Sequence, residues 1–339
     1  IDLGSGELRP GLINAHDHLF LNHFPQLGEP PYPNLYDWAE DVQQRFADDV
    51  RRYRELPQRD AFHFGALKNL IGGVTTVVHH DTWSADAESL PIHVARVRVV
   101  HSLGLEPDLG AARRRDGSTR HRPLCLHLAE GVDARAASEV ADAAARGLLV
   151  ADTLAVHLIA VDGAAVAVLS GSGAAAVWCP SSNLHLYGRT MPRALARSGV
   201  DVLLGTDSLL SGAGTLLDEM GVARACGLLD DDALLRAVGD TAARRLGVPL
   251  PSLEAGAPAD LCFLRRPVLE ARPADVGLVV VGGRPVYGDD EYGELFERAG
   301  VAVDELRVGG TPKLVAAPMG DVARGVLDLS PTCGRIFEA

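Results

Sequence analysis

From about residue 60 onward, short β-branched runs alternate with Ala/Leu/Arg-rich stretches of helical length. That alternation constrains the fold more than any other feature. Strands joined through a helix run parallel, because the crossover returns the chain to the same end of the sheet. The strand candidates are Leu12–Ala15, Val74–His79, Val97–His101, Leu124–His127, Leu154–Leu158, Ala174–Cys179 and Val200–Leu204. Helices are expected over 60–71, 133–146, 162–171, 191–198 and 214–225. A further helix is expected over 231–246, where Asp230, Asp231 and Asp232 supply the acidic start that a helix dipole favours. The pattern is α/β and points to a (β/α)8 TIM-type barrel, one strand short. The eighth belongs between 81 and 123: either a strand hides in Leu103–Leu109, or the barrel is distorted or abbreviated around its third and fourth strands.

A closed barrel needs roughly 250 residues, so 339 residues leave room for a small appended module. The stretches "LEAGAPADLCFL" and "DVGLVVVGGRPVYGD" read as short strands with tight turns, a small β-sandwich module. The expected division is a residual N-terminal part of that sandwich over 1–10, the barrel over 11–248, the C-terminal part of the sandwich over 249–290, and a C-terminal extension over 291–339. The chain begins at Ile1 as though earlier sequence were missing. A formal charge of −13 argues against a nucleic-acid or anionic-membrane surface. No apolar run approaches the roughly 20 residues of a membrane span, and no leader is visible. Five scattered cysteines suggest a reducing, cytoplasmic setting. The partner expected is a small molecule, with self-association into a homo-oligomer compatible.

The chemistry gathers at strand ends. "PGLINAHDHL" closes an apolar run with His16 and His18, two residues apart and therefore on one face of a strand. Two histidines also share a face by chance, so the pair needs company. "PLCLHLAEG" sets His127 at the end of one strand, with Glu130 just beyond. "TLAVHLIAVD" sets His157 at the end of the next, and "VDVLLGTDS" closes a later strand with Asp207. His127 and His157 are 30 residues apart, about one βα unit, and Asp207 follows after 50 more, about two. All leave the barrel at one rim, where barrel enzymes hold their active sites. Imidazoles with a carboxylate suit Zn²⁺ with an open position for water, and such donors also accept Fe²⁺ or Mn²⁺.

Five stretches in order, "PGLINAHDHL", "HLAE", "VHL", "CPSSNLHL" and "LLGTDS", resemble the amidohydrolase superfamily over about residues 1–290. The resemblance implies one divalent metal ion held by His16, His18, His127 and Asp207. In the same reading His157 orients water or substrate, and Glu130 shuttles protons as general acid. Dinuclear members bridge two metals with a carboxylated lysine, but this chain has only Lys68 and Lys313, neither suitably placed. The resemblance therefore narrows to the cytosine, guanine and S-adenosylhomocysteine deaminases and related chlorohydrolases. It implies deamination of a cyclic amidine, guanidine or aminated heterocycle, with cyclic-amide or chloro-heterocycle hydrolysis as the alternative. A catalytically inactive relative serving in assembly or regulation is a further alternative.

Substrate-side candidates are less constrained. Asn183 resembles a position near the active site in related deaminases, or simply satisfies its loop. His185 and Arg189 face substrate or the surface. One of His79 and His80, and His101 after the third strand candidate, point inward as pocket residues or as structural histidines. The Pro- and aromatic-rich segment 21–59 follows the His pair and is expected to cover the site; its Tyr32, Tyr36 and Trp38 stack on a flat substrate or pin the loop.

Overall fold

The computed structural model describes residues 2–106, 122–250 and 252–335. Eight parallel strands lie in two sheets. The first holds β2 (Leu12–Asp17), β3 (Val74–His79) and β4 (His93–Ala95); the second holds β5 (Arg98–Val100), β6 (Leu124–Leu128), β7 (Thr153–His157), β8 (Ala175–Trp178) and β9 (Val202–Leu204). The eighth strand is β4, before the Val97–His101 candidate rather than in Leu103–Leu109. Residues 103–106 form a turn, and 107–109 lie outside the described residues. β4 was hard to read because it is three residues long, with His93 exposed and Ala95 alone facing the interior.

Arg96 and Val97 separate β4 from β5, and no ladder joins the two sheets there. At the other junction the backbone oxygen of His16 accepts from Thr206 N at 3.0 Å and Asp207 N at 3.1 Å, tying β2 to the chain leaving β9. Gly205 permits this approach: a Cβ there would stand 2.5 Å from the Cβ of His16. Alternate residues of seven strands, including Ile13, Val78, Ala95, Cys125, Val156, Val177 and Leu203, meet in one buried cluster. The two sheets therefore share an interior.

The expected helices stand at Gln58–Ile71, Ala134–Ala145, Gly163–Ser172, Arg193–Ala196 and Leu216–Cys226. Asp133, Asp162 and Thr215 accept backbone N–H bonds at three of their N-termini, which explains where those helices start. The single helix expected over 231–246 is two, Asp231–Ala237 and Asp240–Leu246. The break frees the carbonyl of Val238, which accepts from Ile13 N at 2.9 Å and anchors the start of β2.

The appended module is one six-stranded antiparallel sheet, ordered β1 (Glu7–Pro10), β10 (Leu261–Leu264), β11 (Val276–Val281), β12 (Arg284–Asp289), β14 (Thr311–Ala316) and β13 (Val303–Val308). Among the described residues these strands make a single antiparallel sheet, the form in which the expected β module appears. β13 and β14 come from the stretch read as an extension, and buried Lys313 on β14 donates to Val276 O at 2.7 Å. No described helix is long and apolar enough to cross a membrane.

Candidate metal centre

The parallel strands end at one rim, and the polar residues leaving them converge there. His16 lies within β2, fully buried, and His18 follows at its exit with ring centroids 5.1 Å apart. Nε2 of His127, from β6, stands 3.2 Å from Nε2 of His16. His80 follows β3 and brings its Nδ1 to 3.2 Å from Nδ1 of His16. These four histidines each offer a nitrogen within 4.8 Å of the others, and His16, His157 and Asp207 form a second such group. The expected ligand set is thus divided: His16, His18 and His127 group with His80, while Asp207 groups with His157. Because His16 belongs to both, the groups make one centre.

The donors suit a divalent cation. The 3.2 Å between the Nε2 atoms of His16 and His127 matches the about 3.3 Å spanned by two nitrogens bound tetrahedrally at about 2.0–2.1 Å. Burial, then the neighbouring imidazoles, push His16 and His127 well below the usual histidine range. Neutral imidazole is the form that ligates.

Asp207 is held by hydroxyls. Its Oδ2 accepts from Ser182 Oγ at 2.7 Å and Ser211 Oγ at 2.8 Å. Its Oδ1 accepts from Ser208 N at 2.9 Å and faces Nε2 of His16 and of His18, each at 3.8 Å. Burial alone would raise this carboxyl, but His18, His157 and the two serines outweigh it and hold it below its ordinary value. Asp207 stays an anion with one oxygen aimed at the histidines.

Glu130 is prepared differently. Burial is the largest influence on its carboxyl, and Asp207 adds to it; against the pull of His157 and Tyr187, the group is pushed up to about 7. Oε1 accepts from Tyr187 OH at 2.8 Å, whereas Oε2 makes no hydrogen bond and lies 3.5 Å from Nε2 of His157. Nδ1 of His157 lies 2.8 Å from Oδ1 of Asn183, so the amide oxygen accepts from the ring N–H and fixes the tautomer. Asn183 therefore reaches His157, not open space. Ala129, His157, Leu158 and Asp207 have φ of 52°, 73°, 51° and 58°, the positive-φ non-glycine residues among those described. Each such residue costs on the order of 1–3 kcal/mol, and all four stand at this rim.

Lys68 sits behind the centre. Its Nζ lies 3.0 Å from Asp17 Oδ2 and donates to Thr206 Oγ1 and Asp207 O, both at 2.9 Å. Lys313 is spent on Asp289 in the antiparallel sheet.

Of the remaining candidates, His80 faces inward, while His79 accepts from Leu19 N at 3.2 Å and packs on Phe62. The His101 ring is 4.8 Å from that of His127, edge to face. His185 is half-buried on helix Pro180–Tyr187, and Arg189 is exposed beyond its end. The 21–59 segment does lie against the site: Leu35 N donates to Glu130 O at 3.0 Å, and Val132 N to Pro33 O at 2.7 Å. Gly131 allows this, since a Cβ would meet Pro33 O at 2.5 Å. Its aromatics pin the segment: Trp38 Nε1 donates to Leu27 O at 3.0 Å, Tyr32 OH to Asp41 Oδ2 at 2.5 Å, and Tyr36 OH to Glu139 Oε1 at 2.6 Å. Ser182, Ser211 and Tyr187 were not singled out from sequence. Ser182 and Tyr187 stand in the same "CPSSNLHLY" stretch as Asn183, the one signal that pointed near them.

No family model and no curated protein matches the sequence. Solved structures do match in fold. An adenosine deaminase from Xanthomonas campestris with bound zinc is 19% identical, covering 98% of this chain and 87% of that one, with a TM-score of 0.65. The atrazine chlorohydrolase of Arthrobacter aurescens complexed with zinc is 18% identical over 96% and 88%, also at 0.65. The aminofutalosine deaminase of Helicobacter pylori is 18% identical over 82% and 86%, at 0.56.

Proposed function

We propose that this chain, which has the fold of the amidohydrolase superfamily, is a mononuclear metal-dependent aminohydrolase of the cytoplasm. It would act on a cyclic amidine, guanidine or aminated heterocycle, on a (β/α)8-type barrel left unpaired between β4 and β5. The observation that carries the reading is Glu130: a buried carboxyl near 7, with one oxygen free of hydrogen bonds and turned toward His157, beside a centre of four histidines and Asp207. Zinc-bound deaminases and a chlorohydrolase of the same fold support it.

His16, His18, His127 and Asp207 would hold the ion, with His80 and His157 beside it. Bound there, zinc would supply a water acidified to about pKa 7. Asp207, an anion with one oxygen turned toward the histidines, would take up at Oδ1 the proton given up by the attacking water. His157 has its Nδ1–H committed to Asn183, which turns its Nε2 toward Glu130 and the reacting group. Glu130 holds its proton at Oε2 and delivers it to the departing nitrogen, the general-acid step. Tyr187 keeps Oε1 occupied, so Oε2 is the oxygen free for that transfer.

The test begins with metal per chain in protein purified without added metal or chelator. One equivalent of zinc, iron or manganese, with ammonia released from aminated heterocycles or guanidines, is the expected result. Two equivalents would redirect the search to dinuclear cyclic-amide hydrolysis. Chloride release without ammonia would favour the chloro-heterocycle reaction. Failure to take up metal after reconstitution would favour an inactive relative.

A further inference from the structure

Two imidazoles stand in line behind the centre. Nε2 of His80 lies 3.1 Å from the carbonyl oxygen of Val100, and Nδ1 of the same ring lies 3.2 Å from Nδ1 of His16. Both rings are fully buried. An imidazole that ligates is neutral, and a second buried ring beside a divalent ion is neutral as well, so each carries one N–H and one lone pair. A carbonyl oxygen only accepts, which places the His80 proton on Nε2 and its lone pair on Nδ1. His16 must then donate from its own Nδ1. Its remaining lone pair sits on Nε2, the atom facing His127 and Asp207. Cys125 Sγ lies 3.6 Å from the same His80 nitrogen. The thiol S–H is a weak donor to that same lone pair, secondary to the shorter contact from His16.

We propose that His80 is a positioning residue that locks His16 in its Nδ1–H tautomer and so presents Nε2 of His16 to the metal. The inference rests on the metal reading above. Behind a metal-bound histidine this place is usually taken by a carboxylate, a carbonyl or water; here an imidazole relays a carbonyl. The relay also crosses the open junction, because His80 follows β3 of one sheet and Val100 ends β5 of the other. The competing arrangement makes His80 itself a ligand, since its nitrogen lies within the same 4.8 Å group.

The experiment compares wild type, His80→Leu and His80→Asn. Zinc affinity is read by competition with a chromophoric chelator, and the imidazoles on zinc are counted by X-ray absorption. His80→Leu is expected to weaken zinc binding about 10–100-fold with the imidazole count unchanged. Asparagine places an acceptor oxygen where Nδ1 stood, and His80→Asn is expected to recover most of the loss. Unchanged affinity in His80→Leu, or one imidazole fewer on zinc, overturns the inference. Should the variants not fold, long-range ¹H–¹⁵N spectra of histidine-labelled, zinc-loaded wild type decide it. His16 protonated at Nδ1 with His80 protonated at Nε2 is expected; a His80 proton on Nδ1 overturns it. Wild type that takes up no zinc defeats the metal reading, whereas zinc-binding wild type with indifferent His80 variants defeats this inference alone.

Discussion

Burial acts in opposite ways on two carboxyls of one centre. Glu130 loses more solvation than its neighbours return and titrates near 7, while Asp207 is held low by His18, His157 and two hydroxyls. Environments that drive two titrating groups apart suit the acid and base roles proposed above. The general acid proposed above works while protonated, and burial pushes the Glu130 carboxyl up to about 7. For a substrate that does not titrate, kcat/KM should therefore be flat on the acid side of that value and fall about tenfold per pH unit above it. Glu130→Gln should lower kcat about 10²–10⁴-fold, abolish that basic limb, and leave metal content unchanged. A limb that persists in Glu130→Gln would assign the titration to another group. At this scale the sequence showed the ring-bearing residues well, because each ends an apolar strand. Ser182, Ser211 and Tyr187 end nothing; they work by pointing sideways from a loop or helix, which no linear spacing reveals.

Helix Gln58–Ile71 does more than cover β3. It delivers Lys68 to a fully buried cluster in which Asp17 also accepts from Asn22 at 2.9 Å and Asn69 at 2.7 Å. Burial raises the Asp17 carboxyl, and Lys68 is the main force opposing that. Removing one partner strands a charge without solvent, a loss of about 3–5 kcal/mol. Lys68→Met should show that loss in urea unfolding, and adding Asp17→Asn should restore much of it. Metal per folded chain should stay constant in both. Two equivalents in wild type that are lost in Lys68→Met would instead mean that Lys68 bridges two ions. The helix was legible because eleven of its residues are buried amid a strong apolar run, but its lysine was readable only by what it could not do. The break at Val238 was illegible for a related reason: it serves a hydrogen bond to Ile13, 225 residues away in sequence.

Across the whole molecule, periodicity revealed the parallel α/β class, and tertiary geometry decided how the strands close. The two sheets meet closely at β2 and β9 and stay unpaired at β4 and β5, and nothing in strand propensity distinguishes those junctions. Glycine does. At Gly205 an added methyl would lie 2.5 Å from the Cβ of His16 and 3.0 Å from its backbone nitrogen, so something must shift. What shifts matters, because His16 O receives the N–H groups of both Thr206 and Asp207. Widening this junction moves Asp207 away from His16, whereas displacing His16 moves it relative to His127 and His80. Gly205→Ala should therefore destabilise the fold by about 1–3 kcal/mol, as overpacking does, and weaken zinc binding as well. Gly221→Ala is the control: it lies in helix Leu216–Cys226 with nothing within 4 Å of an added Cβ. Its expected effect is a gain of up to about 1 kcal/mol from helix propensity, with zinc binding unchanged. If Gly205→Ala matches wild type in both urea midpoint and zinc affinity, then this junction does not set the spacing of the histidines and Asp207, and the centre is held from β3, β6 and β7 instead.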